Sequence, residues 1–155
     1  RITCSYRTTY LHRIMETFPK KITDFLKKHH VVTIATCENN QPWCFNAFYT
    51  FDEETPALII TSHDDTKHVQ QVLKNSQVSG SVVLETEMVG KVQGLQFIAE
   101  MTLCEGEDEK RAGKLYTKRF PFATLVPKVL WKVGITEAKY TDNTLGFGKK
   151  LTWIK

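Results

Sequence analysis

The sequence has little of what membrane-spanning, secreted or metal-holding proteins need. No apolar run approaches the roughly 18 residues of a membrane span, and no apolar segment follows the basic start in the manner of a secretion signal. The four cysteines, Cys4, Cys37, Cys44 and Cys104, are spaced by 33, 7 and 60 residues. No CxxC pair exists, whereas zinc sites bring their ligands in close pairs. Free thiols in a reducing cytoplasm are therefore expected, with no metal and no membrane partner. The 8 glycines and 5 prolines gather into no linker, and no repeat or low-complexity segment divides the chain. A chain of 155 residues can bury a core without disulfides.

Excess charge of one sign is also scarce. The formal charge is +4, but Arg1, Arg7 and Arg13 fall within residues 1–14, which hold no acid; without them it is +1. Residues 1–14 read as a leader foreign to the domain, which is expected to span 15–155 with Met15 as its natural start. Nucleic-acid binding needs a clustered basic face, and none is evident.

What is present is short and β-rich. Thr17 to His29 predicts a helix, with Thr17 as cap, Pro19 in the first turn, and Phe18, Ile22, Phe25 and Leu26 on one face. Val31–Cys37, Trp43–Phe51 and Ala57–Thr61 read as strands, separated by the turns Glu38–Pro42 and Asp52–Pro56. Thr66–Asn75 predicts a short amphipathic helix. Val78–Thr86 and Lys91–Leu103 read as longer strands. Glu107–Arg119 is helical, with acids first and bases last, as the helix dipole favours; Pro121 ends it. Val129–Ile135, Ala138–Thr141 and Leu151–Ile154 complete the strands. Six or seven strands without βαβ alternation predict a mainly β (α+β) fold, an antiparallel barrel with short peripheral helices.

Two stretches could carry chemistry. In TSHDDTKH (61–68) a strand ends among hydroxyls and a helix begins with Thr66, Lys67 and His68. Unpaired helix N–H groups, hydroxyls and the Lys67 charge together suit a phosphate. From spacing alone, a plain helix cap with a solvated lysine is the simpler reading. In WCFNAFY (43–49), alternation puts Cys44, Asn46 and Phe48 on one face and Trp43, Phe45, Ala47 and Tyr49 on the other. A planar ligand could lie along this strand, although core and subunit packing explain its aromatics more simply. His29–His30 suits a helix C-terminus. GFGKK (146–150) lacks Walker spacing. No Ser–His–Asp set emerges.

The order VVTIATCENNQPWCFNAFYTFD, LIITSHDDTKHVQQVLKN, VSGSVV and GLQF resembles the pyridoxamine 5′-phosphate oxidase-like family of FMN-binding split barrels. AKYTDNTLGFGKKLTWIK and RFPFA resemble, more narrowly, the YhbP-type bacterial proteins within it. The resemblance implies a split-barrel homodimer with FMN at the subunit interface. It implies that Ser62, Thr66 and Lys67 hold the phosphate, with Thr61 beside them among the cofactor-binding residues. Phe45, Asn46 and Ala47 would border the isoalloxazine ring, Gln96 would meet it from the side, and Trp153 would approach from the C-terminus. Where family members place an arginine beside the lysine, His63 and His68 stand nearest. The oxidase itself carries a C-terminal stretch of Arg and His residues for its substrate phosphate. That stretch has no match here, so pyridoxamine-phosphate oxidation is not expected. The implied activity is a flavin-dependent oxidoreductase using a nicotinamide or other small reductant on a small-molecule substrate. The alternatives are a non-catalytic dimer that binds a flavin or phosphorylated ligand, and a barrel that has lost its cofactor.

Overall fold

The computed structural model describes residues 17–125, 128–146 and 149–155. The expected leader 1–14, Cys4, Met15 and the Phe147–Gly148 part of the lysine-rich turn lie outside those residues. Seven strands form one antiparallel sheet: β1 (Val31–Glu38), β2 (Gln41–Asp52), β3 (Ala57–Thr61), β4 (Gln77–Val83), β5 (Gln93–Leu103), β6 (Leu130–Asp142) and β7 (Lys150–Ile154). Their order is β3-β2-β1-β4-β5-β6-β7, and β3 also pairs with β6. Six strands therefore close a barrel. The first half of β6 (130–134) meets β3, while 137–141 pairs instead with β7. The expected split barrel is what forms. Among the described residues no helix is long and apolar enough to cross a membrane.

Local chemistry sets each boundary. Asn39 and Asn40 both adopt positive φ, at 50° and 61°. Asparagine tolerates that region, and two such residues build the tight hairpin whose twist matches the strands. The expected five-residue turn thus shrinks to two residues, with Glu38 paired to Gln41. The first helix, α1 (Lys20–Lys28), starts three residues later than the spacing predicts, because Pro19 is extended at ψ 129° and its carbonyl accepts the Ile22 and Thr23 N–H groups. The strand pair expected at 129–135 and 138–141 is one strand. The register shifts between Ile98 and Ala99, leaving Thr136 as the unpaired residue of a bulge. The second helix, α2 (Lys67–Val72), has only six residues, and α3 runs over Gly106–Arg119.

The core fills the barrel with Val32, Ile34, Tyr49, Leu58, Ile60, Leu95, Met101 and Ile135, all at most 2% exposed. The Tyr49 hydroxyl donates to the Leu26 carbonyl at 2.8 Å, and the Arg119 guanidinium donates to the Lys27 and His29 carbonyls, which fixes α1 over one barrel end. A smaller cluster beneath α3 gathers Ile59, Ala112, Tyr116, Phe120 and Leu130. Gly80 leaves room for a crossing aromatic: a Cβ there would lie 2.7 Å from the Thr33 carbonyl and closer still to the Phe97 ring.

Asp52 ties α3 to the β2–β3 turn. Its carboxylate accepts from the Glu54 N–H, the Thr55 hydroxyl and the Arg111 guanidinium. Burial raises its pKa, but the Thr55 and Arg111 hydrogen bonds outweigh that and hold it below the ordinary 3.8. A carboxylate of this kind stabilises the fold fully above 3.8, and its contribution fades as pH falls through the lower folded value. Urea unfolding of the wild type and of Asp52→Asn should therefore show a stability difference that is constant near neutrality and shrinks below pH 3.8. A difference that stays unchanged into strong acid would contradict the tie.

Candidate functional site

The site begins where β3 closes on β6. Thr61 pairs with Leu130, the Ser62 N–H donates to the Val129 carbonyl at 3.2 Å, and the Trp131 indole donates to the Ser62 carbonyl at 3.1 Å. Ser62 is thus held at both backbone polar groups, at the lip of the barrel. The chain then turns. The Thr66 N–H and hydroxyl both bond the His63 carbonyl, at 3.3 and 2.8 Å, and the Gln70 amide secures the Asp64 carbonyl at 2.6 Å.

This turn brings three side chains to one point. The Ser62 Oγ lies 2.5 Å from His68 Nε2 and 3.4 Å from Thr66 Oγ1, and Thr66 Oγ1 lies 3.1 Å from the same nitrogen. β2 supplies the wall. The Phe45 ring stacks on the His68 imidazole, with centroids 3.7 Å apart and planes 9° off parallel, and Lys67 Nζ sits 4.3 Å from the Trp43 ring centroid. Burial lowers the His68 pKa from 6.5, which favours the neutral ring. Asp64 and Asp65 are exposed. Among the described residues no carboxylate bonds to Ser62, Thr66 or His68, and none pairs with Lys67. The group combines two hydroxyls, an imidazole and an exposed ammonium, a donor set that suits an anion. Because α2 is so short, side chains rather than a helix dipole would carry it. On the other side of Ser62, a cavity of about 170 Å³ is lined by Thr61, His63, Tyr116 and Phe122.

The other expected residues divide between the two faces of the sheet. Phe45 and Ala47 point toward the barrel end and are half-buried. Asn46 points outward and accepts from the Thr33 hydroxyl at 2.7 Å. Cross-strand pairing runs Asn46, Thr33, Ser81, Gln96, Lys139 and Thr152 in one outward polar row. Large apolar side chains flank this row: Val31 is 47% exposed, Phe48 55%, Val83 64% and Ile98 45%. Asn46 and Gln96 are three strands apart, about 14 Å, and do not meet within the chain. Trp153 lies elsewhere. It is buried against Phe18 at 4.8 Å and lines a cavity of about 780 Å³ at the opposite end of β3, beside Pro56 and Ile135. His68 is the residue whose part was least legible. Its signal in the sequence is faint: two positions after Thr66, six after Ser62, opposite an aromatic strand.

The model of the family described as pyridoxamine 5′-phosphate oxidase matches residues 18–142. The UPF0306 protein YhbP of Salmonella arizonae is 40% identical over 134 residues, covering 86% of this chain and 91% of its own. In fold the chain is similar to a heme-binding protein from Mycobacterium smegmatis, with TM-score 0.67 and 14% identity, over 81% of this chain and 52% of that one; it spans about half of that protein's length. It is also similar to a FAD-binding protein from Mesorhizobium loti, with TM-score 0.64 and 14% identity, over 77% and 88% of the two chains.

The stack against Phe45 covers the imidazole. In Phe45→Ala, the His68 titration followed by NMR should move up toward 6.5, since burial is what depresses it. A titration unmoved by that change would show that the stack does not desolvate the ring.

Proposed function

This chain belongs to the pyridoxamine 5′-phosphate oxidase family, and on that premise we propose that two copies bind FMN between them and act as a flavin-dependent oxidoreductase on a small molecule. The observation that carries the reading is the carboxylate-free group formed by Ser62, Thr66, His68 and Lys67 at the barrel lip. These residues fit a phosphate monoester: hydroxyls and an imidazole bond its oxygens, and the Lys67 ammonium swings from Trp43 to supply charge. Thr61 fixes Ser62 by its pairing to Leu130.

The outward row supplies the rest. Its polar centre offers Asn46 and Gln96 to the edge of a planar ring, and its exposed Val31, Phe48, Val83 and Ile98 suit burial against a second copy. Asn46 and Gln96 do not meet within one chain, which is why the reading calls for a homodimer. Phe45 and Ala47 shape β2 behind them. When bound, the flavin supplies two-electron chemistry with a nicotinamide or similar reductant. The protein's part is to orient the ring, tune it by hydrogen bonds from Asn46 and Gln96, and exclude water. The FAD-binding neighbour supports a flavin on this fold. The thiols of Cys37, Cys44 and Cys104 suit a reducing cytoplasm.

A second reading keeps the site and drops the turnover: a dimer that only holds the flavin. Oxidation of NADH by the FMN-loaded protein favours the enzyme, and a loaded protein that leaves NADH intact favours the carrier. For the phosphate assignment, Lys67→Ala combined with Thr66→Ala should weaken FMN binding about 10- to 100-fold, the loss of charged hydrogen bonds worth roughly 1.5–3 kcal/mol. Riboflavin, which lacks the phosphate, should bind both proteins equally. Unchanged FMN affinity in the double variant would falsify the assignment.

A further inference from the structure

We propose that His68 is the proton-controlled member of the anion grip: its neutral ring withdraws the Ser62 hydroxyl from a ligand, and its protonated ring frees that hydroxyl to turn toward one. The inference rests on the phosphate reading above and deepens it by giving that site a regulation.

Proton counting in the cluster leads there. The Thr66 hydroxyl spends its one proton on the His63 carbonyl at 2.8 Å. Toward His68 Nε2, at 3.1 Å, Thr66 therefore has only lone pairs to offer. Ser62 Oγ stands 2.5 Å from the same nitrogen. Two arrangements are open to these contacts. With Nε2 unprotonated, the Ser62 O–H donates to it and Thr66 is left facing a lone pair. With Nε2 protonated, its N–H is shared between the two oxygens, and the Ser62 proton is free to point outward. Only the second arrangement presents a hydroxyl donor and adjacent positive charge to an incoming phosphate. An imidazolium holds Nε2–H permanently, whereas a neutral ring holds it in only one of its two tautomers.

The surroundings leave His68 free to play this part. From β2 it faces the uncharged Phe45 ring, 3.7 Å away. From the end of β3 it faces the Ser62 hydroxyl, whose carbonyl is bound by the Trp131 indole of β6. On its own segment the charged or titratable groups are His63, Asp64, Asp65 and Lys67. Among the described residues no carboxylate pairs with the ring, so nothing already present pays for its charge. Burial lowers its pKa from 6.5. A phosphate dianion arriving at the hydroxyls would be the missing counter-charge, so binding should take up a proton at His68 near neutral pH.

The test is FMN binding between pH 5.5 and 7.5, by flavin fluorescence, for the wild type, His68→Asn and His68→Gln. FMN's own phosphate titrates near 6, so the readout is the ratio of variant to wild-type Kd at each pH. The ratio should rise about tenfold toward pH 5.5, which corresponds to a one-unit rise in the His68 pKa on binding. On the wild type alone, the His68 NMR titration should shift upward when FMN is added and stay in place when riboflavin is added. A flat ratio together with an unmoved titration, in a protein that binds FMN more tightly than riboflavin, overturns the inference and leaves the phosphate site standing. Equal binding of FMN and riboflavin at every pH removes the phosphate site and this inference with it.

Discussion

The pairing of β3 with β6 is the contact on which the rest of the molecule depends. It converts an open six-stranded sheet into a barrel, and so removes two edges whose N–H and C=O groups would otherwise face water or another chain. Closure also decides where the chain leaves the sheet. Thr61 is the last paired residue of β3, and the next one, Ser62, is held by Val129 and Trp131. The cluster with Thr66 and His68 grows from that fixed point. Loss of the closure would release the core around Leu58, Ile60 and Trp131 and scatter the grip in the same event.

A site assembled in this way carries a built-in competition. Its hydroxyls are not idle in the free protein: Thr66 is bonded to His63, and Ser62 is bonded to His68. In the function proposed above, a ligand must offer more than the hydrogen bonds it displaces, and an anion would do so through charge, which neutral partners lack. The wall of Phe45 and Trp43 raises that advantage by keeping water from the imidazole and from one side of the ammonium. The outward polar row and its apolar flanks are a second surface, joined to the grip through β2, whose alternate residues serve both.

Much of this was legible in the sequence. Alternation places Phe45 and Asn46 on opposite faces, and the TSHDDTK step marks the end of β3 and the start of α2. What escaped depends on contacts remote in sequence or on fine backbone preferences. Asn39–Asn40 looked like part of a long loop because either residue tolerates several turns; only the paired strands select the tight one. Pro19 fits a first helical turn and equally an extended residue before it. The bulge at Thr136 is set by register with Ile98, 38 residues away. The meeting of His68 with Phe45 and Ser62 required knowing how α2 sits across β2. The resemblance implies a place for Trp153 near the flavin; within one chain it packs on Phe18, at the end of β3 away from Ser62.

The central claim is that two chains enclose one kind of ligand, gripped at Ser62, Thr66 and Lys67. Light scattering on protein soaked with FMN and then desalted, with absorbance followed at flavin wavelengths, tests this in one experiment. The expected result is a yellow species of twice the 17.9 kDa chain mass, with flavin and protein eluting together. A colourless species of 17.9 kDa would contradict it.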